Sequence, residues 1–420
     1  MDYFDMDLGL SDEDRALKEA AHKFAAEVMR PAARELDRMS AEEAVAEDSP
    51  VWPFLRRAYE LGYHKALLPE AFGGLGLTPV QAHLVQEELA WGSFGFAAFL
   101  ASAGFASNLA WMTGDEELID RFGRPFCECT DGSVIGCWGV TEPDHGSDLM
   151  GIGEEFYTSP RIQGSMKARL EGDEWVINGQ KAAWVSGAPL ATHALLHLQT
   201  DLSKGMDGWG ICIVPLDAEG ASRGKPQDKV GQRELSQGEL FFEEVKIPRK
   251  WMVVGAEVYP ETTQGILAQT NLMMATWATG LARAAYEEAL RYSKERIQGG
   301  RPLIEHYSMK QRIFEMFSRV ETCRALSRAV VKLNMSIANP FLEYSLSAKT
   351  RCTQMCLENA HDAVQILGGN GLSKEYETEK LLRDARATLI MDGCNEVVAR
   401  MGGWLLSENY PRNRTQIIHP

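Results

Sequence analysis

The sequence predicts an α+β protein in three parts: an all-helical amino-terminal domain (residues 1–130), a small antiparallel β domain (131–250) and a carboxy-terminal four-helix-bundle domain (251–420). Apolar residues recur at helical spacing in the first and last thirds of the chain. The middle third instead consists of short runs that alternate apolar and polar residues between turn residues. A chain of 420 residues, 45% of them hydrophobic, is long enough to bury a sizeable core.

In the amino-terminal domain, two helix starts have a clear chemical signal. Ser11 and Asp14 have the spacing of a capping box, and Pro31 is expected to divide the helix that they begin. Thr78 is a preferred N-cap residue and is followed by a proline, so that a further helix is predicted from there to about Trp91.

The middle and last thirds follow the same logic. The segment 167–187 alternates around a Gly-Asp turn and predicts a β-hairpin. Long amphipathic helices are predicted at Leu267–Arg296, Tyr307–Met335, Leu342–Leu367 and after Asn395. Repeated large apolar residues on the second of these, Met309, Phe314 and Phe317, are expected in the core.

Charge and cysteine usage exclude several classes of function. A formal net charge of -16 argues against nucleic acid and against an anionic membrane surface as partners. The eight cysteines lack the spacing of zinc ligands, and no metal site is predicted. The amino terminus is acidic without an apolar core, and no apolar run approaches the ~20 residues of a membrane span, so we expect a cytoplasmic protein.

The stretch 361–400 contains the strongest candidate for catalysis. It joins a helix, a glycine-rich turn and a lone carboxylate, Asp392, set between Met391 and Gly393. Such an acid is placed to be desolvated and approached closely by a ligand, as a catalytic base must be. Composition alone favours the simpler interpretation that Asp392 caps the helix that begins near Asn395.

Two further motifs precede it. In the turn GVTEPDHGSD, residues 139–148, Thr141, Ser147 and exposed amides could hold a polar ring edge or phosphate oxygens. In Trp184-Val185-Ser186, the indole offers a flat apolar wall and the hydroxyl follows on the same side of a strand. A dinucleotide bound in the βαβ manner has no support, because the sequence GGNGL follows a helix and not a strand.

Together, QILGGNGL, EKLLRDAR, LIMDGCNE, the turn at 139–148 and the Trp-x-Ser triplet resemble the acyl-CoA dehydrogenase family over essentially the whole chain. The resemblance implies the family's fold, an FAD cofactor, a homotetramer and electron transfer to an electron-transfer flavoprotein. It implies α,β-dehydrogenation of an acyl-CoA thioester with Asp392 as the base that removes the α proton. Most family members have a glutamate there, so this chain departs by one methylene.

The resemblance also assigns ligand contacts. FAD contacts are implied for Thr141, Ser147, Trp184, Ser186, Arg296, Gln298, Gln365, Gly368 and Gly369. Of these, Arg296 and Gln298 resemble family residues that reach the flavin pyrophosphate of a neighbouring subunit, so that the site needs at least a dimer. Substrate contacts are expected from Thr270, Asn271, Met391 and Gly393.

Departures from the family leave alternatives open. Asn271 stands where many relatives carry the arginine of a Phe-Asp-x-x-Arg pattern that binds CoA, so this chain has no charge at that position. The aspartate base favours, as an alternative, a nitroalkane oxidase-like flavoenzyme that uses no CoA, and a non-catalytic flavin-binding scaffold is a third hypothesis. The segment Gly95–Phe105 resembles the helix that lines the acyl cavity and contains no Lys or Arg, which favours a medium, branched or alicyclic acyl group over a dicarboxylyl one.

Overall fold

The computed structural model describes residue 6 and residues 9–409. Its α-helices are α1 (Asp12–Phe24), α2 (Arg30–Leu36), α3 (Val51–Glu60), α4 (Pro79–Gly92), α5 (Phe94–Ala103), α6 (Phe105–Thr113), α7 (Glu116–Leu118), α8 (Arg124–Glu128), α9 (Tyr259–Glu295), α10 (Tyr307–Asn334), α11 (Leu342–Leu367), α12 (Thr378–Thr388) and α13 (Asn395–Asn409). Its strands are β1 (Gly136–Gly139), β2 (Lys167–Glu171), β3 (Glu174–Ser186), β4 (His193–Gln199), β5 (Trp209–Pro215), β6 (Ala221–Pro226), β7 (Gln237–Pro248), β8 (Met252–Val254), β9 (Ile297–Gln298) and β10 (Arg301–Pro302).

Local chemistry sets the helix boundaries at the amino terminus as predicted. The Asp14 amide donates to Ser11 Oγ (3.1 Å) while the Ser11 amide donates to Asp14 Oδ2 (2.9 Å), which completes the capping box. A π-helical turn, 25–29, separates α1 from α2 just before Pro31. Because proline has no N–H to donate, the regular ladder cannot continue through it. Thr78 caps α4.

The middle third forms one eight-stranded sheet with the order β6-β7-β3-β1-β4-β5-β8, to which β2 adds by pairing with β3 and β4. The predicted hairpin is β2–β3, with Glu171 opposite Glu174. The sheet is mostly antiparallel, as predicted, although β1 and β2 each pair parallel with β4. The long stretch of chain between β1 and β4, which includes β2 and β3, allows β4 to return beside β1 in the same direction.

Helices from both ends of the chain share one hydrophobic core. It contains Phe24 and Phe94 from the amino-terminal helices and Leu272, Val320 and Cys356 from the carboxy-terminal ones. Helix α9 spans 37 residues, about 55 Å at 1.5 Å per residue. This helix therefore connects regions of the molecule that lie far apart.

The outer face of α10 departs from the prediction. Met309 is half-buried against the core, but Phe314 is 66% exposed and Phe317 39% exposed, so the assignment of both phenylalanines to the core is wrong for the single chain. Helical spacing identifies an apolar face but not the chain that covers it. Exposed large apolar residues continue nearby with Tyr307 and Ile297, a patch of the kind that mediates protein association.

Among the described residues, the stretch Phe94–Thr113 is long and apolar enough to cross a membrane, and 78% of its most apolar window is buried inside the fold. It comprises α5 and α6, whose Phe94, Phe96 and Phe99 are fully enclosed by neighbouring helices. This burial is that of a core helix.

Candidate active site

Asp392 lies on a loop between α12 and α13 in a backbone conformation that few side chains adopt. Its φ is +51°, and Gly393 follows with a φ of +86°. A Cβ at Gly393 would collide with the sulfur of Met150, so only glycine fits there. A non-glycine residue held at positive φ is a strained feature that neighbouring contacts must maintain, and such features cluster at functional sites.

Lys349, on α11, provides one of those contacts. Its ammonium is fully buried and donates to the Gly393 carbonyl (2.6 Å) and to Asn395 Oδ1 (2.7 Å). Asn395 in turn donates to Thr353 Oγ1 (3.0 Å) on the same helix. Gly393 and Asn395, two of the three residues that follow the predicted base, are thus held on α11.

The electrostatic setting of Asp392 suits a base. Burial raises the pKa of Asp392 to about 6, although the positive charge of Lys349 acts to lower it. Burial likewise lowers the pKa of Lys349 to about 8, opposed by the Asp392 carboxylate. Within residues 9–409, neither the carboxylate nor the N–H of Asp392 makes a hydrogen bond to another protein group. Asp392 is therefore not the cap of α13, and Glu396, the other acid nearby, is exposed on its first turn.

Ser147 connects this loop to the β domain. Its hydroxyl accepts a hydrogen bond from the Cys394 amide (3.0 Å). On either side of it, the His145 ring bonds to Asp148 Oδ2 (2.7 Å) and donates to the Gln163 carbonyl (3.0 Å). The turn that contains Ser147 is therefore held by the segment that connects β1 to β2. It lies directly beside the loop that contains Asp392.

Trp184 and Ser186 lie on β3, which runs beside β1 and the turn that contains Thr141. The Ala182 amide donates to the Thr141 carbonyl (2.9 Å), and Ser186 pairs with Trp138 of β1. The β3–β7 register shifts between Lys181 and Val185, and bulges of this kind re-aim side chains near active sites. Trp184 is 57% exposed, which leaves one large aromatic side chain without packing on this surface.

A buried ion pair that the sequence analysis missed holds this turn in place. Lys181 donates to Glu142 Oε1 (2.8 Å) and to the Val140 carbonyl (2.9 Å), and its side chain is fully buried. Glu142 Oε2 accepts from the amide (2.5 Å) and hydroxyl (2.8 Å) of Ser165. Glu142 lies in the GVTEP turn, and Lys181 lies in the strand just before Trp184. Their positions next to the predicted flavin contacts could have identified them from the sequence.

Lys349 was also missed. It lies on the buried face of α11 at helical spacing from Ser345, Cys352 and Cys356. A charged residue on an apolar stripe is rarely buried unless it is paired. The position of Lys349 on this stripe could therefore have predicted a buried, paired lysine from the sequence.

Some predicted residues lie elsewhere. Arg296 and Gln298 are exposed on the hairpin that follows α9, 25 residues after Asn271, or about 37 Å along the helix axis. Gln365, Gly368 and Gly369 are exposed at the end of α11. Within one chain, the described residues therefore show no contact between any of these five residues and Asp392.

The predicted substrate residues on α9 are buried. Thr270 is 4% exposed, and the fully buried Asn271 donates from Nδ2 to the Leu267 carbonyl (3.0 Å). Among the described residues, Asn271 Oδ1 has no hydrogen-bond partner. An unpaired buried acceptor costs roughly 1–3 kcal/mol, which a ligand donor would recover.

Three models of one family match the chain: the acyl-CoA dehydrogenase N-terminal domain at residues 11–129, the middle domain at 137–245 and the C-terminal domain at 261–403. The chain belongs to the acyl-CoA dehydrogenase family. Family members are flavin-dependent, and the chain is accordingly an oxidoreductase acting on CH–CH groups. The predicted family and fold class are confirmed.

Individual relatives agree with this assignment. A cyclohex-1-ene-1-carbonyl-CoA dehydrogenase of Geobacter metallireducens is 28% identical over 94% of this chain and 98% of its own. The butyryl-CoA dehydrogenase of Megasphaera elsdenii has a similar structure, with a TM-score of 0.83 and 28% identity over 96% of this chain and 100% of its own. An active-site Asp-to-Asn mutant of nitroalkane oxidase crystallised with 1-nitrooctane shares the fold, with a TM-score of 0.85 at 22% identity over 96% of this chain and 98% of its own.

Proposed function

We propose that this chain is an acyl-CoA dehydrogenase in which Asp392 removes the α proton of an acyl-CoA thioester, yielding an enoyl-CoA. The observation that carries the proposal is that Asp392 has both a desolvated carboxylate and a backbone N–H without a protein partner. The carboxylate supplies a base, and the N–H supplies a donor for the thioester oxygen as negative charge develops on it.

The raised pKa of Asp392 favours this role. A carboxylate with a pKa of about 6 is a stronger base than an ordinary one and is still mostly ionised at neutral pH. The same loop is held on one side by Lys349 and on the other by Ser147. A base that is fixed from both sides loses little orientation when the substrate binds.

The residues on the β domain fit an isoalloxazine ring. Trp184 offers an unpacked indole face, and Ser186 and Thr141 offer hydroxyls beside it. When bound there, FAD supplies the two-electron acceptor for the β hydrogen, which leaves as hydride. We assign Thr141, Trp184 and Ser186 to the ring end of the cofactor. Ser147, also a proposed FAD contact, lies on the turn between the ring site and the loop that contains Asp392.

The remaining cofactor contacts require a second subunit. Arg296 and Gln298 are exposed on a hairpin about 37 Å along α9 from Asn271, so we assign them to the pyrophosphate of a neighbouring chain's FAD. Gln365, Gly368 and Gly369 are assigned to the adenosine half of the same cofactor. The exposed apolar side chains of Phe314 and Tyr307 support an assembly, for which we propose the family's homotetramer.

For the substrate, we assign Met391, Gly393, Thr270 and Asn271. The unpaired Asn271 Oδ1 would accept a hydrogen bond from an amide N–H of the acyl-CoA. The segment 95–105, which we assign to the acyl cavity, contains no Lys or Arg, and this favours a medium, branched or alicyclic acyl group. The electron acceptor we propose is an electron-transfer flavoprotein, and the compartment the cytoplasm.

One observation favours a second candidate, a nitroalkane oxidase-like reaction. Asp392 is an aspartate, as is the residue replaced in the nitroalkane oxidase mutant, and the uncharged Asn271 gives CoA no ionic partner. A nitroalkane is acidic enough for deprotonation without a thioester.

The deciding experiment uses the purified protein. We expect yellow protein whose flavin absorbance bleaches anaerobically on addition of a medium, branched or alicyclic acyl-CoA. Greatest activity on a dicarboxylyl-CoA would overturn the substrate class. Bleaching with nitroalkanes and with no acyl-CoA would favour the second candidate, and colourless protein that binds no added FAD would reject both.

A further inference from the structure

A short chain of polar side chains ends at Ser186. The Lys229 ammonium donates to Gln237 Oε1 (2.8 Å) and to the Leu235 carbonyl (2.6 Å). Gln237 Nε2 donates to the Trp184 carbonyl (3.0 Å) and to Ser186 Oγ (3.2 Å). Gln237 begins β7, directly opposite Ser186 on β3.

Chemistry fixes which way the Gln237 amide faces. An ammonium can only donate, so the atom of Gln237 that meets Lys229 must be the oxygen. A backbone carbonyl can only accept, so the atom that meets the Trp184 carbonyl must be the amide nitrogen. The two ends agree, and neither tolerates the flipped amide.

The direction of the Ser186 hydroxyl follows. Because its oxygen accepts from Gln237, its single proton is left to donate elsewhere. Among the described residues, no acceptor for that proton is found. The half-exposed hydroxyl lies two residues from the exposed Trp184 indole, on the surface to which the flavin ring is assigned.

From this we infer that Gln237, held by Lys229, is a positioning residue that sets Ser186 as a hydrogen-bond donor to the flavin. The inference rests on the proposed function for the flavin itself. A donor aimed at the ring stabilises the electron-rich reduced form more than the oxidised form, so it raises the flavin reduction potential.

The substitution Gln237→Glu tests the direction of the hydroxyl. A carboxylate has no proton to donate, so Ser186 would turn to donate to it and would no longer donate to the flavin. The shape of the side chain is kept, and Lys229 remains a partner for the new charge, so the fold is preserved. We expect a lower flavin reduction potential and roughly tenfold slower anaerobic reduction by substrate, the effect of losing one hydrogen bond.

Three comparisons separate positioning from a general change of charge. Gln237→Met removes the amide N–H that donates to Ser186 and leaves the hydroxyl free to rotate, and we expect a smaller shift in potential. Gln180→Glu places the same charge on a half-buried glutamine of β3, the strand that contains Ser186, and we expect no shift. The decisive comparison is Gln237→Glu in the Ser186→Ala background, where most of its effect on the potential should disappear.

An equal shift from Gln237→Glu with and without the serine hydroxyl would overturn the inference while leaving a flavin-bound, active parent enzyme. An unchanged potential in Gln237→Glu would do the same. A parent protein that binds no flavin would instead overturn the proposed function, and this inference with it. Visible absorption spectra and redox titration report all of these outcomes independently of turnover.

Discussion

Replacing Asp392 with asparagine should change stability and activity in opposite directions. Burial raises the pKa of Asp392 to about 6, about two units above its ordinary value. The unfolded chain therefore ionises this group more readily than the folded protein does. The folded state loses stability as the pH rises from about 4 to about 6, and the loss then levels off. Asparagine never ionises and removes the penalty.

The magnitude follows from the difference between the two pKa values. A difference of about two units corresponds to roughly 3 kcal/mol above pH 6, and to about half of that at pH 5. For a chain of 420 residues, unfolding entropies of about 2.1 cal/mol/K per residue convert 3 kcal/mol into a rise in Tm of about 3 °C. The substrate-dependent reduction rate should meanwhile fall by roughly 10²–10⁴-fold, the contribution of a positioned base.

The assay is thermal unfolding of substrate-free protein between pH 5 and 8, paired with anaerobic flavin reduction. Glu396→Gln is the matched control, since it removes an exposed carboxylate four residues away, and we expect neither a change in Tm nor a loss of flavin reduction. A variant Asp392→Asn that is less stable than the parent at pH 8, or equally stable at every pH, would refute the desolvation reasoning. Near-normal flavin reduction by that variant would show that another group is the base.

The other predictions concern the contacts that hold the two loops. Lys349→Met removes a buried positive charge, so the pH profile of kcat/KM should shift to higher pH as the base becomes harder to ionise, and an unshifted profile would contradict the coupling. Gly393→Ala should lower both Tm and activity because of its positive φ and the contact with Met150, and Gly403→Ala, whose Cβ meets no atom within 4 Å, is its control. Glu142→Gln should cost roughly 3–5 kcal/mol by leaving Lys181 unpaired; urea unfolding measures this, and the double variant with Lys181→Met should recover part of the loss.

Elements with local determinants could be predicted from the sequence. The Ser11–Asp14 box, the cap at Thr78 and the turn between β2 and β3 each depend on residues within four positions of one another. Their chemistry is complete within a few residues, so a single sequence contains it. Asp392 was proposed as a base from its neighbours Met391 and Gly393, and the family resemblance then assigned it the role.

What the sequence could not reveal are contacts between distant segments. Lys349 meets Gly393 across 44 positions, and Ser147 meets Cys394 across 247. Spacing along the chain carries no information about such pairs. The same limit explains the error at Phe314, since periodicity marks it as apolar without stating whether the same chain or a neighbouring one covers it.

The aspartate at 392 is reasonable once the loop's backbone is considered. A shorter acid keeps its carboxylate closer to its own N–H, so the reacting α carbon must approach the backbone more nearly than with glutamate. Gly393 permits the positive φ that this backbone needs, and its carbonyl accepts a hydrogen bond from Lys349 of α11. Aspartate reaches one methylene less far than glutamate, and the fixed, strained loop compensates because the substrate lies closer to its backbone. The same arrangement buries the carboxylate, and this burial raises the pKa of Asp392.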